Sequence, residues 1–122
     1  MTGKREYGVG GESAAVEHLR RKGYKIVERN YRSRMGEIDI IARHKGVMVF
    51  VEVKARRSRR YGHAKWAVTP AKQRKISMTA LDYLKRHAST DIPARFDVVT
   101  VHEDDSRQHI EVITSAFELA YP

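Results

Sequence analysis

Cysteine is absent from the 122 residues, so neither a disulfide framework nor a thiolate metal site is available to this chain. The six histidines, His18, His44, His63, His87, His102 and His109, do not fall at zinc-motif spacing, which leaves oxygen as the main donor for any metal. Proline occurs only three times. No Pro/Ser-rich linker, repeat or low-complexity tract divides the sequence, and its length suits one core, so a single domain over residues 1–122 is expected. No apolar run approaches membrane-spanning length. Basic residues in 1–11 are not followed by an apolar segment, so no secretory signal is expected and the expected location is cytoplasmic. Acidic residues are also scarce, 15 against 24 lysines and arginines.

That imbalance leaves a formal charge of +9. Lysines and arginines that neutralise phosphates release condensed counterions, so a polyanion, nucleic acid above all, is the expected partner. A basic surface kept for solubility is the plainer reading. Membrane-surface binding needs an amphipathic helix with a basic face and bulky apolar residues opposite, and none is found, so no membrane partner is expected. A hydrophobic share of 41% with 32% charged residues fits a globular chain.

The first element reads as a helix over 12–22, with Ala15, Val16 and Leu19 on one stripe with Glu12 and Gly23 as its stop. Residues 24–31 (YKIVERNY) read as a strand, followed by a basic turn at Arg32, Ser33 and Arg34. The runs 37–42 (EIDIIA) and 47–54 (VMVFVEVK) then form a hairpin. In the second run Val47, Val49, Val51 and Val53 share one face and Met48, Phe50, Glu52 and Lys54 the other, and apolar residues on both make this strand central. Thr69 caps a second helix with Pro70 at its first position and Ile76, Ala80 and Leu84 along its stripe toward His87. Strands over 94–101 and 109–114 flank a polar turn at 103–107. The fold class is therefore α/β, a mixed central sheet flanked by helices in the order α-β-β-β-α-β-β.

The hairpin carries the chemistry. A two-residue turn at Lys45 and Gly46 makes Ala42 face Val49, Ile40 face Val51 and Asp39 face Glu52. Facing residues have Cβ atoms about 4.5–5.5 Å apart, close enough for two carboxylates to bind one small cation. Such a pair repels unless it is protonated or bridged. Few oxygen ligands suit Mg²⁺ or Mn²⁺, which keep positions open for water and a phosphate oxygen. Lys54, two residues along the same face, can then orient a nucleophile or stabilise charge on a scissile phosphate. A surface ion-pair ladder would use the same three residues, but their otherwise apolar face favours the metal.

Secondary candidates surround this pair. Glu12 is either a further metal ligand or an acid favoured at a helix start. Gln73 positions substrate or nucleophile, or is ordinary helix-start polarity. Glu37, two residues from Asp39, borders the site, whereas Asp97 is expected to pair with a nearby arginine. The segment after the hairpin (ARRSRRYGHAKW) holds Arg56, Arg57, Arg59 and Arg60 beside Tyr61 and Trp66, a solvated loop or a phosphate grip. Tyr61 and Trp66 are suited equally to stacking on bases and to core packing.

Gly11-Glu12, Gly23-Tyr24, Glu28-Arg29-Asn30-Tyr31-Arg32, Gly36-Glu37-Ile38-Asp39, Val49-Phe50-Val51-Glu52-Val53-Lys54 and Arg95-Phe96-Asp97-Val98-Val99 together resemble the bacterial YraN family over nearly the whole chain. The resemblance implies a restriction-endonuclease-like fold, of the branch that includes the archaeal Holliday junction resolvases. It maps that superfamily's acidic residue onto Asp39, its Glu-x-Lys strand onto Glu52-Val53-Lys54 and its helical glutamate onto Glu12. A metal-dependent endonuclease acting on branched or single-stranded DNA is the implied activity, with DNA favoured over RNA and a homodimer by analogy. A catalytically silent nucleic-acid-binding adaptor in DNA or RNA processing is the alternative, because fold does not guarantee function.

Overall fold

The computed structural model describes residues 3–56, 68–87, 91–104 and 107–119, with the backbone alone for 3–10, 56 and 104. Its elements are α1 (Gly3–Arg21), β1 (Lys25–Ser33), β2 (Gly36–His44), β3 (Val47–Arg56), α2 (Pro70–Arg86), β4 (Ala94–Asp104) and β5 (Arg107–Phe117). The α-β-β-β-α-β-β order is the one expected. The strands form one sheet in the order β1-β2-β3-β4-β5. β3 and β4 are parallel and the other neighbouring pairs antiparallel, so the sheet is mixed. A parallel pair requires a crossover connection, and α2 lies within it.

The alternation in β3 explains why a helix lies on each face. Val47, Val49, Val51 and Val53 gather with Ala15, Val16 and Leu19 of α1, while Met48 and Phe50 gather with Ile76, Ala80, Tyr83 and Leu84 of α2. Burying a side chain such as Phe50 contributes about 1.5–3 kcal/mol, so neither face can be left to water. The hairpin has the expected register where it is paired, with Ile40 opposite Val51 and Ala42 opposite Val49, but the ladder ends at Ile40–Val51, so the expected Asp39–Glu52 pair lies beyond it. Lys45 and Gly46 have φ of 52° and 79°, the left-handed pair that a two-residue primed turn demands.

Capping fixes the helix ends. Gly23, at φ 90°, ends α1: its N–H donates to the Arg20 carbonyl and the Tyr24 N–H to that of Leu19, both at 3.0 Å, a Schellman closure. Thr69 Oγ1 accepts the Lys72 N–H at 3.2 Å and Pro70 opens α2, as expected.

Several boundaries differ from the expected ones. α1 begins at Gly3 rather than Glu12, because its glycine-rich first turns carry no apolar stripe to reveal a helical period. β1 continues through Arg32 and Ser33, and the turn moves to Arg34 and Met35, where the Met35 N–H donates to Ser33 Oγ at 3.0 Å. Arg32 remains in the ladder because an edge strand tolerates polar side chains, and it pairs with Glu37 at 2.7 Å. The turn expected at 103–107 is shorter, with β4 reaching Asp104 and β5 starting at Arg107.

Asp97, fully buried, pairs with an arginine as expected. Arg95 Nε donates to its Oδ1 at 3.0 Å, Tyr24 donates to Oδ2 at 2.8 Å and the Ser115 N–H donates to Oδ1 at 3.0 Å. Arg95 also donates to His44 Nδ1 at 2.8 Å, and the Tyr24 and His44 rings stack 4.1 Å apart.

At Gly11 α1 lies close against β3. A Cβ added there would lie 2.9 Å from Ala55 Cβ and 3.9 Å from Val101 Cβ, and this close approach brings Glu12 to the end of the sheet. A larger residue in a helix normally improves propensity over glycine. Here the expected sign is reversed: Gly11→Leu should cost about 2–3 kcal/mol in urea denaturation through overpacking. An unchanged or higher denaturation midpoint would show that α1 does not rest on Ala55.

Candidate functional site at the parting of β2 and β3

The paired register of β2 and β3 runs from His44–Val47 to Ile40–Val51 and stops there. On a regular strand residues two apart share a face. Ile38 nevertheless packs in the α2 cluster and Ile40 in the α1 cluster, so the chain twists at Asp39 between them. Asn30 of β1, which lies in the gap between the Arg29–Ile40 and Tyr31–Ile38 pairs, has φ 53°. Asp39 is thus turned toward the gap between strands, where its Oδ2 accepts the Val53 N–H at 2.8 Å. A side chain takes over a donor beyond the end of the ladder.

Glu52 stands beside it on β3 and is buried, at 5% exposure. Its Oε2 lies 3.5 Å from Lys54 Nζ and 3.0 Å from Lys72 Nζ of α2. Glu12 of α1 receives a hydrogen bond from Arg29 of β1 at 3.3 Å, and its charge reaches Asp39. Five elements therefore contribute to one site: α1, β1, β2, β3 and the first turn of α2.

The electrostatics follow from this crowding. Burial raises the Asp39 carboxyl to about 7, helped by the charge of Glu52, a hydrogen bond shared with it and the charge of Glu12, and opposed by the Val53 N–H. Lys72 is raised chiefly by its hydrogen bond to Glu52, with the charges of Glu52, Asp39 and Glu37 adding and burial opposing. Glu37 thus borders the site through Lys72, while its own carboxylate pairs with Arg32.

Of the residues singled out from sequence, the structure brings Asp39, Glu52 and Lys54 together and sets Glu12 beside them. Gln73 lies one position past Lys72, and its Nε2 donates to the Val68 carbonyl at 3.0 Å, which commits that donor to the start of the helix. Arg56 closes β3. Its side chain lies outside the described part, as do Arg57, Arg59, Arg60, Tyr61 and Trp66. Among the described residues no three His, Cys, Asp or Glu side chains form a complete metal cage, so a cation here would lean on few protein oxygens. A groove of about 390 Å³ lies elsewhere, between the later turns of α2 and the strands β4 and β5, and includes Leu84, Phe96 and Phe117 in its lining.

Lys72 is the site residue that sequence reasoning missed. A signal existed: the first turn of α2 carries no acidic residue, and a lysine there opposes the positive end of the helix dipole. A residue that breaks a local rule without local gain marks a functional or strained position.

Comparison with known proteins places the chain in a family. The family model described as "Uncharacterised protein family UPF0102" matches residues 11–101, a span that includes Glu12, Asp39, Glu52, Lys54 and Lys72. The chain belongs to the UPF0102 family. A UPF0102 protein of Pelobacter propionicus is 52% identical over 96% of this chain and 86% of its own length. Relatives in Geobacter sulfurreducens and Symbiobacterium thermophilum are also 52% identical, over 93% of this chain and 90% and 97% of their own lengths. UPF0102 is the YraN family, as the motifs had implied. Among the described residues of this UPF0102 chain, no helix is long and apolar enough to cross a membrane.

The raised Asp39 carboxyl has a consequence for stability. Its pKa rises from 3.8 to about 7 on folding, so the fold favours the neutral acid. That contribution is complete below 3.8 and disappears as pH climbs through 7. In chelator, Asp39→Asn should lie closest to wild type near pH 4 and melt progressively higher than wild type as pH rises, by at least about 3–6 °C near pH 8. Melting curves whose difference does not change with pH would rule out this account of Asp39.

Proposed function

We infer that this UPF0102 protein is a metal-dependent endonuclease hydrolysing phosphodiester bonds in nucleic acid. The observation that carries the reading is half-buried Asp39 beside buried Glu52, with Lys54 3.5 Å from Glu52, where β2 and β3 part. The donor set fits Mg²⁺ or Mn²⁺: oxygen only, few ligands, and two carboxylates whose mutual repulsion a cation relieves. Asp39 and Glu52 would hold the ion, with Glu12 reaching it directly or through water. When bound, such an ion neutralises charge on a scissile phosphate and lowers the pKa of a water.

The remaining chemistry belongs to side chains. Lys54 places a positive charge where the phosphate becomes more negative as water adds to phosphorus and the P–O bond to the leaving strand lengthens. The Val53 N–H fixes Asp39, so the carboxylate is oriented before substrate arrives. The formal charge of +9 supplies a backbone-directed, sequence-independent attraction. The resemblance to resolvases favours branched or single-stranded DNA over RNA and, by analogy, a homodimer.

One observation favours a second reading, a nucleic-acid-binding adaptor without turnover. Glu52 already has two lysines beside it, and no third carboxylate completes a cage among the described residues.

The test incubates the protein and Glu52→Ala with labelled four-way junction, single-stranded and duplex DNA and structured RNA, each with Mg²⁺, Mn²⁺ or chelator. Cleavage should require the metal and fall at least about 10²-fold in Glu52→Ala, with binding largely retained. Lys54→Ala should behave likewise. Binding that persists in chelator, with no cutting under either ion, would establish the adaptor instead.

A further inference from the structure

Two lysines converge on one buried carboxylate, yet hydrolysis as described uses only Lys54. Lys72 is nearer to Glu52 Oε2, at 3.0 Å against 3.5 Å. It comes from a different element, and its side chain is 47% exposed while that of Glu52 is 6% exposed. The buried acid is therefore covered on its solvent side by a cation with room to move. The base of that cation is fixed: the Lys72 N–H is held by Thr69 Oγ1 and the helix starts at Pro70. Only the flexible stem can swing.

We propose that Lys72 is a latch on the metal site, a positioning residue that holds Glu52 in the metal-free protein and passes to a phosphate oxygen when a divalent cation and nucleic acid enter. The inference rests on the metal-site reading above and deepens it. A dication bound by Asp39 and Glu52 would repel an ammonium lying within contact distance of the same oxygen. A phosphate drawn to that dication would attract the same ammonium, and a lysine stem reaches a new partner by rotating, without backbone movement. The amino end of α2 favours anions, so a phosphate finds a complementary field there while the lysine alone does not. Lys72 thus competes with the metal when substrate is absent and cooperates with it when substrate is present.

These two roles give effects of opposite sign in one variant, which structural damage does not produce. Lys72→Met keeps the stem and the helix propensity but removes the charge. Calorimetric titration with Mn²⁺, without nucleic acid, should show binding about two- to fivefold tighter than in wild type, the strength typical of a partly exposed ion pair. With Ca²⁺ present to limit cutting, the same variant should bind single-stranded and four-way-junction DNA more weakly, with a salt slope lower by about one. Arg74→Met, which removes an equal charge from the same helix at an exposed position, should leave Mn²⁺ affinity unchanged.

Equal or weaker Mn²⁺ binding in Lys72→Met, or an equal gain in Arg74→Met, overturns the latch while leaving the metal site standing. DNA binding in Ca²⁺ that is not weakened overturns the transfer to phosphate. If neither wild type nor Lys72→Met binds Mn²⁺, the metal-site reading falls and the latch falls with it.

Discussion

Half-buried Asp39 and buried Glu52 lie close enough for each carboxylate to bear on the other, and two acids so placed repel unless a proton or a cation intervenes. Much of the local architecture answers that demand. β2 leaves its ladder with β3 after Ile40, the Val53 N–H turns to the Asp39 side chain, and α2 presents a lysine from its first turn. α1 approaches closely enough at Gly11 to add a third acid, whose own partner is Arg29 of the edge strand. A protein selected for stability alone gains nothing from adjacent acids at the end of an apolar strand. Lys54 and Lys72, both against Glu52, offset part of the cost of placing them there.

A second buried acid shows the contrast. Asp97 accepts from Arg95, Tyr24 and the Ser115 N–H, and Arg95 in turn is tied to His44 and Tyr24. Each partner comes from β1's approach, β2, β4 or β5, so this cluster joins strands and is satisfied within the protein. Glu52 instead relies on two lysines whose side chains are 30% and 47% exposed. Fixed partners suit a structural charge. Exchangeable partners suit one that must receive something.

What the sequence revealed and what it concealed divide along one line. The hairpin register could be read because valine alternation fixes the faces and the Lys45-Gly46 turn fixes the phase, so Asp39 and Glu52 came together on paper. The element order, the central position of β3 and the Thr69-Pro70 helix start were readable for similar reasons, each being local. Lys72 was hidden because nothing in a single sequence states which end of α2 meets which strand. The twist that separates Ile38 from Ile40 was hidden too, since strict alternation puts both on one face. The early turns of α1 gave no periodic signal, and their role depends on a glycine fitting over Ala55, a contact between distant parts of the chain.

The parallel pairing of β3 with β4 also sets the order in which the site can be assembled. The β2–β3 hairpin closes through two residues and can form within microseconds, whereas Phe50 meets Phe96 only after the intervening chain has crossed the sheet. Early in folding, the chain therefore brings Asp39 and Glu52 together before α2 has delivered Lys72 or α1 has delivered Glu12. The nascent hairpin carries an internal repulsion that Lys72 later offsets and Glu12 adds to. Protons or cations present at that stage lower the repulsion, so the solution in which the chain folds acts on the site before its own lysine arrives.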